Sequence, residues 1–258
     1  MTKTNSKQWG DKSRFYIPNE DARTVRAALN LLDASPRRPV FVGGSGMVLL
    51  DALSELPRLE EIAFVDISEF QVAYFKSLLL ALKGCSTPSA LTGWFSEIIY
   101  PQLHYHFSKG RGHEYPLEGV LQALKELFHI RFFFEEEPLD GIKPLLGRIR
   151  VHEQDIAAFL TEPARDYDFA YLSNVPDYLP QERLPDLFAA CRLRGAPVYL
   201  LLTEACPDAG KVRAAWERVG YREHPATGDL TEQNSGLGAF NLKRVWNRRG
   251  RVVLLMPC

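Results

Sequence analysis

The chain has 258 residues, 46% of them hydrophobic and 24% charged, which is the balance of a soluble globular protein. That length suits one large α/β domain, or such a domain with an inserted lid. The net charge of −1 excludes a global field that would draw nucleic acid or an anionic membrane to the surface.

Residues 1–13 are polar and are expected to fray. Within an N-terminal helical segment over residues 14–36, Asn19 or Asp21 caps a helix that runs to about Asp33. Its apolar face is Val25, Ala28, Leu29 and Leu32, and Pro36 and Pro39 end it. Val40 to Val42 reads as the first strand, followed by Gly43, Gly44, Ser45 and Gly46 and a helix from about Gly46 to Leu56. Ile62 to Val65 is the second strand and ends in Asp66. A helix from about Glu69 to Lys83 stops at Gly84. From Cys85 to Gly147 the strand–helix alternation breaks. This stretch is rich in aromatics and histidines, reads as irregular apart from a helix over Leu117 to Phe128, and is expected to be a lid inserted over the site. Alternation then resumes. Strands are expected at Arg148 to His152, Phe169 to Leu172 and Val198 to Leu202, and helices at Leu184 to Arg192 and Asp208 to Val219. Phe240 to Trp246 and Val252 to Met256 flank Asn247-Arg248-Arg249-Gly250 and read as a closing antiparallel hairpin. The expected fold class is α/β: one domain over residues 1–258, built on a doubly wound, mostly parallel sheet.

The four cysteines (Cys85, Cys191, Cys206, Cys258) form no C-x-x-C pair and read as reduced thiols. Met1 to Arg14 lacks the apolar core of a signal peptide, and no apolar run is long enough to span a membrane. The expectation is a cytoplasmic protein with a small-molecule partner and no nucleic-acid or integral-membrane association. A homodimer stays open.

Strand, glycine turn, helix, strand, acid is half of a nucleotide-binding unit. The glycines let the backbone come close to a ligand. Asp66 at the next strand tip suits a ribose diol. A dinucleotide fingerprint would need Gly at position 49, where Leu49 stands, and no Lys-Ser/Thr pair makes a P-loop. The pattern therefore favours a nucleoside without a pyrophosphate, and S-adenosylmethionine is the commonest such cofactor. In this reading the cofactor site is Gly43, Gly44, Ser45, Gly46, Asp66, Ile67, Gln71, Asp155, Ile156, Ser173 and Asn174. Asp155 takes the adenine amino group and Asn174 sits nearest the sulfonium. Catalytic candidates are Asn174, Asp177 and Tyr178 after the fourth strand, Tyr16 as an aromatic over the sulfonium, and His104, Tyr105 and His106 from the insertion. On a strand, His104 and His106 would share one face, but two histidines without a third ligand do not make a metal site. Glu135-Glu136-Glu137 reads as a solvated turn, so no metal is expected.

The inferred architecture resembles the Rossmann-like fold of S-adenosylmethionine-dependent methyltransferases. A narrower resemblance lies in Asp66-Ile67-Ser68-Glu69-Phe70-Gln71, which is similar to the Asp-x-Asn-Pro-x-Gln helix of the betaine-lipid synthase family. Gly43-Gly44 and Leu172-Ser173-Asn174-Val175-Pro176-Asp177-Tyr178 match further segments of that family. Ser68 and Glu69 depart from it. The family implies transfer of the 3-amino-3-carboxypropyl group; with a small-molecule acceptor this is the leading reading, and an intramolecular attack by the cofactor's own amine is compatible with it. Methyl transfer is the alternative, and a non-catalytic nucleoside-binding regulatory domain is the alternative of another class. An NAD-dependent oxidoreductase is disfavoured by the missing third glycine.

Overall fold

A computed structural model describes residues 16–18, 20–111, 116–203, 206, 208–235 and 250–258, with the side chains of 106–111 and 235 outside that set. Asp21 opens the first helix, α1 (Ala22–Asn30), by accepting from the Arg23 amide at 2.9 Å. β1 (Pro39–Val42), α2 (Met47–Ala52), β2 (Ile62–Asp66) and α3 (Glu69–Gly84) follow the expected alternation. After an inserted segment come β3 (Ile149–Glu153), a short helix over Ile156–Thr161, β4 (Phe169–Ser173), a helix over Leu184–Leu193, β5 (Val198–Thr203) and a helix over Ala209–Arg218. β6 (Tyr221–Glu223), a helix over Thr227–Ser235 and β7 (Gly250–Pro257) complete the described chain.

The seven strands form one sheet in the order β3-β2-β1-β4-β5-β7-β6. β1 to β5 pair in parallel, and β7 runs antiparallel to both of its neighbours. This is the doubly wound, Rossmann-like class the sequence implies. Its topological switch lies between β1 and β4, where the chain reverses its direction of travel across the sheet, and that position opens a crevice beyond the strand carboxyl ends. Alternate strand residues feed two cores. Phe41, Phe64, Tyr171 and Tyr199 pack on one face under α1, α2 and α3. Val40, Val65, Leu172 and Leu200 pack on the other with Phe188 and Trp216. Burial on both faces explains why the strands read as continuous apolar runs.

One expectation needs correction. The inserted segment is helical, not irregular. It contains α4 (Pro88–Trp94), a π turn at Phe95–Ile99, α5 (Tyr100–Arg111), α6 (Leu117–Gln122), a second π turn at Ala123–Leu127 and α7 (Glu136–Ile142). Leu91, Phe95, Ile99 and Leu103 recur every fourth residue and are buried in the first core, with Phe132 and Phe133. A four-residue step outruns the 3.6-residue α period, and the wider π turn keeps these side chains on one side.

Of the expected closing hairpin, residues 240–246 lie outside the described residues; its second arm is β7, which runs antiparallel in the sheet. Leu200 to Thr203 of β5 pair with Val253 to Gly250, and Tyr221 to Glu223 of β6 pair with Pro257 to Leu255. On the remaining edge the Thr231 hydroxyl serves both the N–H and the C=O of Val252, each at 3.1 Å. Val252 is thereby satisfied on that edge. β6 escaped the sequence reading because three residues carry no periodicity.

Candidate functional site

The glycine turn after β1 is shaped by what its backbone must avoid. A Cβ on Gly43 would lie 2.0 Å from Asp66 Oδ2, and one on Gly46 would lie 2.2 Å from the Phe75 ring. Gly44 and Gly46 each have φ of +70°. The turn is then tied down from β2 and α3. Gly43 N–H donates to Val65 O at 2.7 Å, and Gln71 Nε2 donates to Gly44 O at 2.6 Å.

Asp66 holds both sides of the crevice. Its Oδ2 accepts from the Gly44 amide at 2.9 Å and its Oδ1 from the Ser68 amide at 2.8 Å. Burial raises its pKa, and the amides of Ser68, Gly44 and Ile67 oppose that shift. With three amides donating, about one of the carboxylate's four acceptor sites stays open to a ligand donor. Beside it Ile67 is 53% exposed, an aliphatic face turned into the cleft.

Asp155 caps the helix at Ile156–Thr161, accepting from the Ala158 amide at 2.9 Å. It also pairs with Arg183 at 2.7 Å. Burial works to raise its pKa, but the Arg183 contact and the Ala158 amide hold it below the usual range. A ligand donor would therefore share Asp155 with a guanidinium. Arg183 carries no motif and was invisible in the sequence.

β4 ends under local strain. Ser173 has φ of +45°, in the left-handed region, and the β4–β5 register shifts between Tyr171 and Ser173. The distortion directs Ser173 Oγ to Glu20 Oε1 at 2.5 Å. Tyr171 Oη donates to the same oxygen. Asn174 Nδ2 donates to Tyr178 Oη at 3.2 Å, and Thr203 Oγ1 donates to Asp177 Oδ2 at 2.5 Å.

These groups surround one cleft of about 780 Å³ at the switch point. It is lined by all eleven residues of the expected cofactor set, from Gly43 to Asn174, and by Asp177 and Tyr178. Glu20 and Arg183 also line it, unforeseen from the sequence. The remaining catalytic candidates lie elsewhere. Tyr16 is buried edge-on against Phe70 and Tyr74, and its carbonyl accepts from Tyr74 Oη at 2.8 Å. It packs the core and does not line the cleft. His104 and Tyr105 lie on α5, with Tyr105 59% exposed, and the His106 side chain falls outside the described residues. The segment is a helix and not the strand on which the two histidines were expected to share a face. No described residue from 85 to 147 lines the cleft. Of the aromatics read as a lid, Phe95 is fully buried in the core, Trp94 and Tyr100 are half-buried and Tyr105 is exposed.

No protein-family model and no curated sequence matches the chain. Among solved structures, it is similar to the O-methyltransferase region of StiE at 10% identity, covering 91% of this chain and 73% of that one, with a TM-score of 0.46. It is similar to the methyltransferase domain of bacterial CtHen1-C at 12% identity, covering 92% and 96%, with a TM-score of 0.47. It also resembles human N-acetylserotonin methyltransferase, solved in complex with SAM, at 12% identity, covering 92% and 51%, with a TM-score of 0.39.

Proposed function

We propose that the protein is an S-adenosylmethionine-dependent transferase acting on a small molecule, with methyl transfer as the favoured reaction. The observation that carries this is the Asp66 carboxylate, fixed between the glycine turn and α3 at the switch point and keeping an acceptor site for a ribose hydroxyl. The charge of the cleft suits the cofactor. Asp66, Asp155, Asp177, Glu182 and Glu20 line it against Arg183, which Asp155 engages. An acidic lining favours a sulfonium and disfavours a polyphosphate.

When bound, the cofactor supplies an electrophilic carbon on a positively charged sulfur. The chain's own residues then bind, align and desolvate. Asp66 orients the ribose, and Ile67 and Ile156 offer apolar faces to the base. The Asn174–Tyr178 pair stands at the β4 end, where an acceptor would approach.

The segments that suggested aminocarboxypropyl transfer have structural work here. Ser68 caps α3, Gln71 latches Gly44, and Ser173 binds Glu20. They support the cofactor loop without selecting which carbon leaves sulfur, so the finer assignment loses its particular support. Incubation with S-adenosylmethionine and mass identification of the nucleoside product tests both readings. S-adenosylhomocysteine is expected. Methylthioadenosine would restore carboxypropyl transfer, and absence of nucleoside binding would overturn the cofactor itself.

A further inference from the structure

Glu20 is the cleft residue whose surroundings do not complete it. The side chain is 1% exposed and lines the cleft. Its Oε1 accepts from Tyr171 Oη and Ser173 Oγ. Its Oε2 is buried and has no hydrogen-bond partner among the described residues. Around it stand the hydroxyls of Ser173, Tyr171 and Tyr199 and a second acid, Asp21; the Tyr199 hydroxyl, also buried and otherwise unpaired among the described residues, is a neutral donor close enough to be shared with Glu20 and leaves its charge uncompensated. Asp21 is itself paired, with Arg23 at 2.7 Å and His129 at 3.2 Å. A buried carboxylate without a countercharge is costly, and an alcohol donor would leave that charge in place. An ammonium would both fill the vacant acceptor and neutralise it.

We propose that Glu20 is the receptor for an amine of the ligand, whose nitrogen donates to Oε2. The inference rests on the S-adenosylmethionine reading and names a substrate class for the same cleft. Two amines meet this chemistry, the cofactor's α-ammonium and the nitrogen of an acceptor. If it is the acceptor's, the ammonium first yields one proton to the Glu20 carboxylate; the freed nitrogen lone pair then forms the bond to the transferred carbon, and the C–S bond breaks with its electron pair going to sulfur. Glu20 passes its proton to water, and the product leaves as the substituted ammonium. Burial raises the pKa of that carboxyl, which suits it to hold a proton in transit.

Two arms separate the sources, each run on the wild type, Glu20→Gln and Glu20→Asp. The first is calorimetric titration with S-adenosylhomocysteine and with its des-amino analogue. The second is mass spectrometry after incubating isotopically labelled S-adenosylmethionine with matched panels of primary amines and alcohols. Glu20→Gln keeps an oxygen for Tyr171 and Ser173, and circular-dichroism melting checks that it folds; Glu20→Asp restores the charge should it not. If the cofactor's ammonium is held, Glu20→Gln loses about tenfold or more in affinity for S-adenosylhomocysteine and none for the des-amino analogue. If the acceptor's amine is held, nucleoside affinity is unchanged and label transfer to amines falls by about a hundredfold or more, with partial recovery in Glu20→Asp. The proposal is overturned if Glu20→Gln changes neither arm, if it weakens both nucleosides equally with amine transfer intact, or if label reaches alcohols alone. Failure of the wild type to bind either nucleoside refutes the cofactor reading and takes this inference with it.

Discussion

At the scale of single residues, the cleft concentrates carboxylates that folding does not favour in their charged form. Asp66 and Glu20 both have pKa values raised by burial. A carboxyl whose folded pKa lies above its unfolded value contributes stability at low pH, and that contribution fades as pH rises through the folded pKa. Glu20→Gln should therefore match the wild type in melting temperature near pH 4 and exceed it at pH 7. A variant less stable than the wild type at pH 7 would mean that the native carboxylate is well compensated. Asp155 behaves oppositely, because its folded pKa is depressed. Its contribution is present above the unfolded value of 3.8 and is lost as pH falls through the folded pKa. Asp66→Asn should weaken S-adenosylhomocysteine binding by about 1.5–3 kcal/mol, since the charge-assisted hydrogen bond to the ribose is lost. It should also lower the melting temperature, because Asp66 braces the Gly44 and Ser68 amides. Unaltered affinity in calorimetry would remove Asp66 from the binding site.

At the scale of elements, the insertion is fastened through Asp51 of α2. Arg26 of α1 donates to its Oδ2, and the Arg131 amide, just before α7, donates to its Oδ1 at 2.8 Å. Burial and the neighbouring Arg131 lower the Arg26 pKa to about 10. Removing the acid leaves two arginines to the more distant Glu55, 4.0 Å from Arg26 and 3.6 Å from Arg131, and orphans the Arg131 amide, so Asp51→Ala should cost about 3–5 kcal/mol in urea denaturation. A loss below about 1 kcal/mol would show that the arginines find other partners or water. The same elements show what the sequence could reveal. The β1 turn and Asp66 were legible because their partners lie within one strand–helix–strand unit. Glu20 was not, since its partners Tyr171 and Ser173 are 151 and 153 residues away. Arg183 was hidden likewise, 28 residues from Asp155. The insertion's helices were legible in principle from the fourfold step of Leu91, Phe95, Ile99 and Leu103. Its aromatics and histidines drew attention away from that step.

At the scale of the whole molecule, the question is which parts respond when a ligand arrives. The cleft is walled by turns that emerge from the carboxyl ends of β1, β2, β3 and β4, and each turn hangs on a few hydrogen bonds. The insertion instead contributes buried side chains such as Phe95, Leu124, Phe132 and Leu139 to the first core. Segments with dense apolar burial open only with the global unfolding free energy, whereas turns open locally at far lower cost. Hydrogen exchange should therefore find the amides of α4, α6 and α7 protected as slowly exchanging structure in the free protein. Saturating S-adenosylhomocysteine should add protection in the turns at residues 43–46, 66–68 and 174–183, where ligand contacts suppress local opening. Little change is expected in α4, α6 and α7, because no described residue of the insertion lines the cleft. Ligand-induced protection of the insertion equal to that of the turns would contradict this, and would show that the segment closes over the bound molecule.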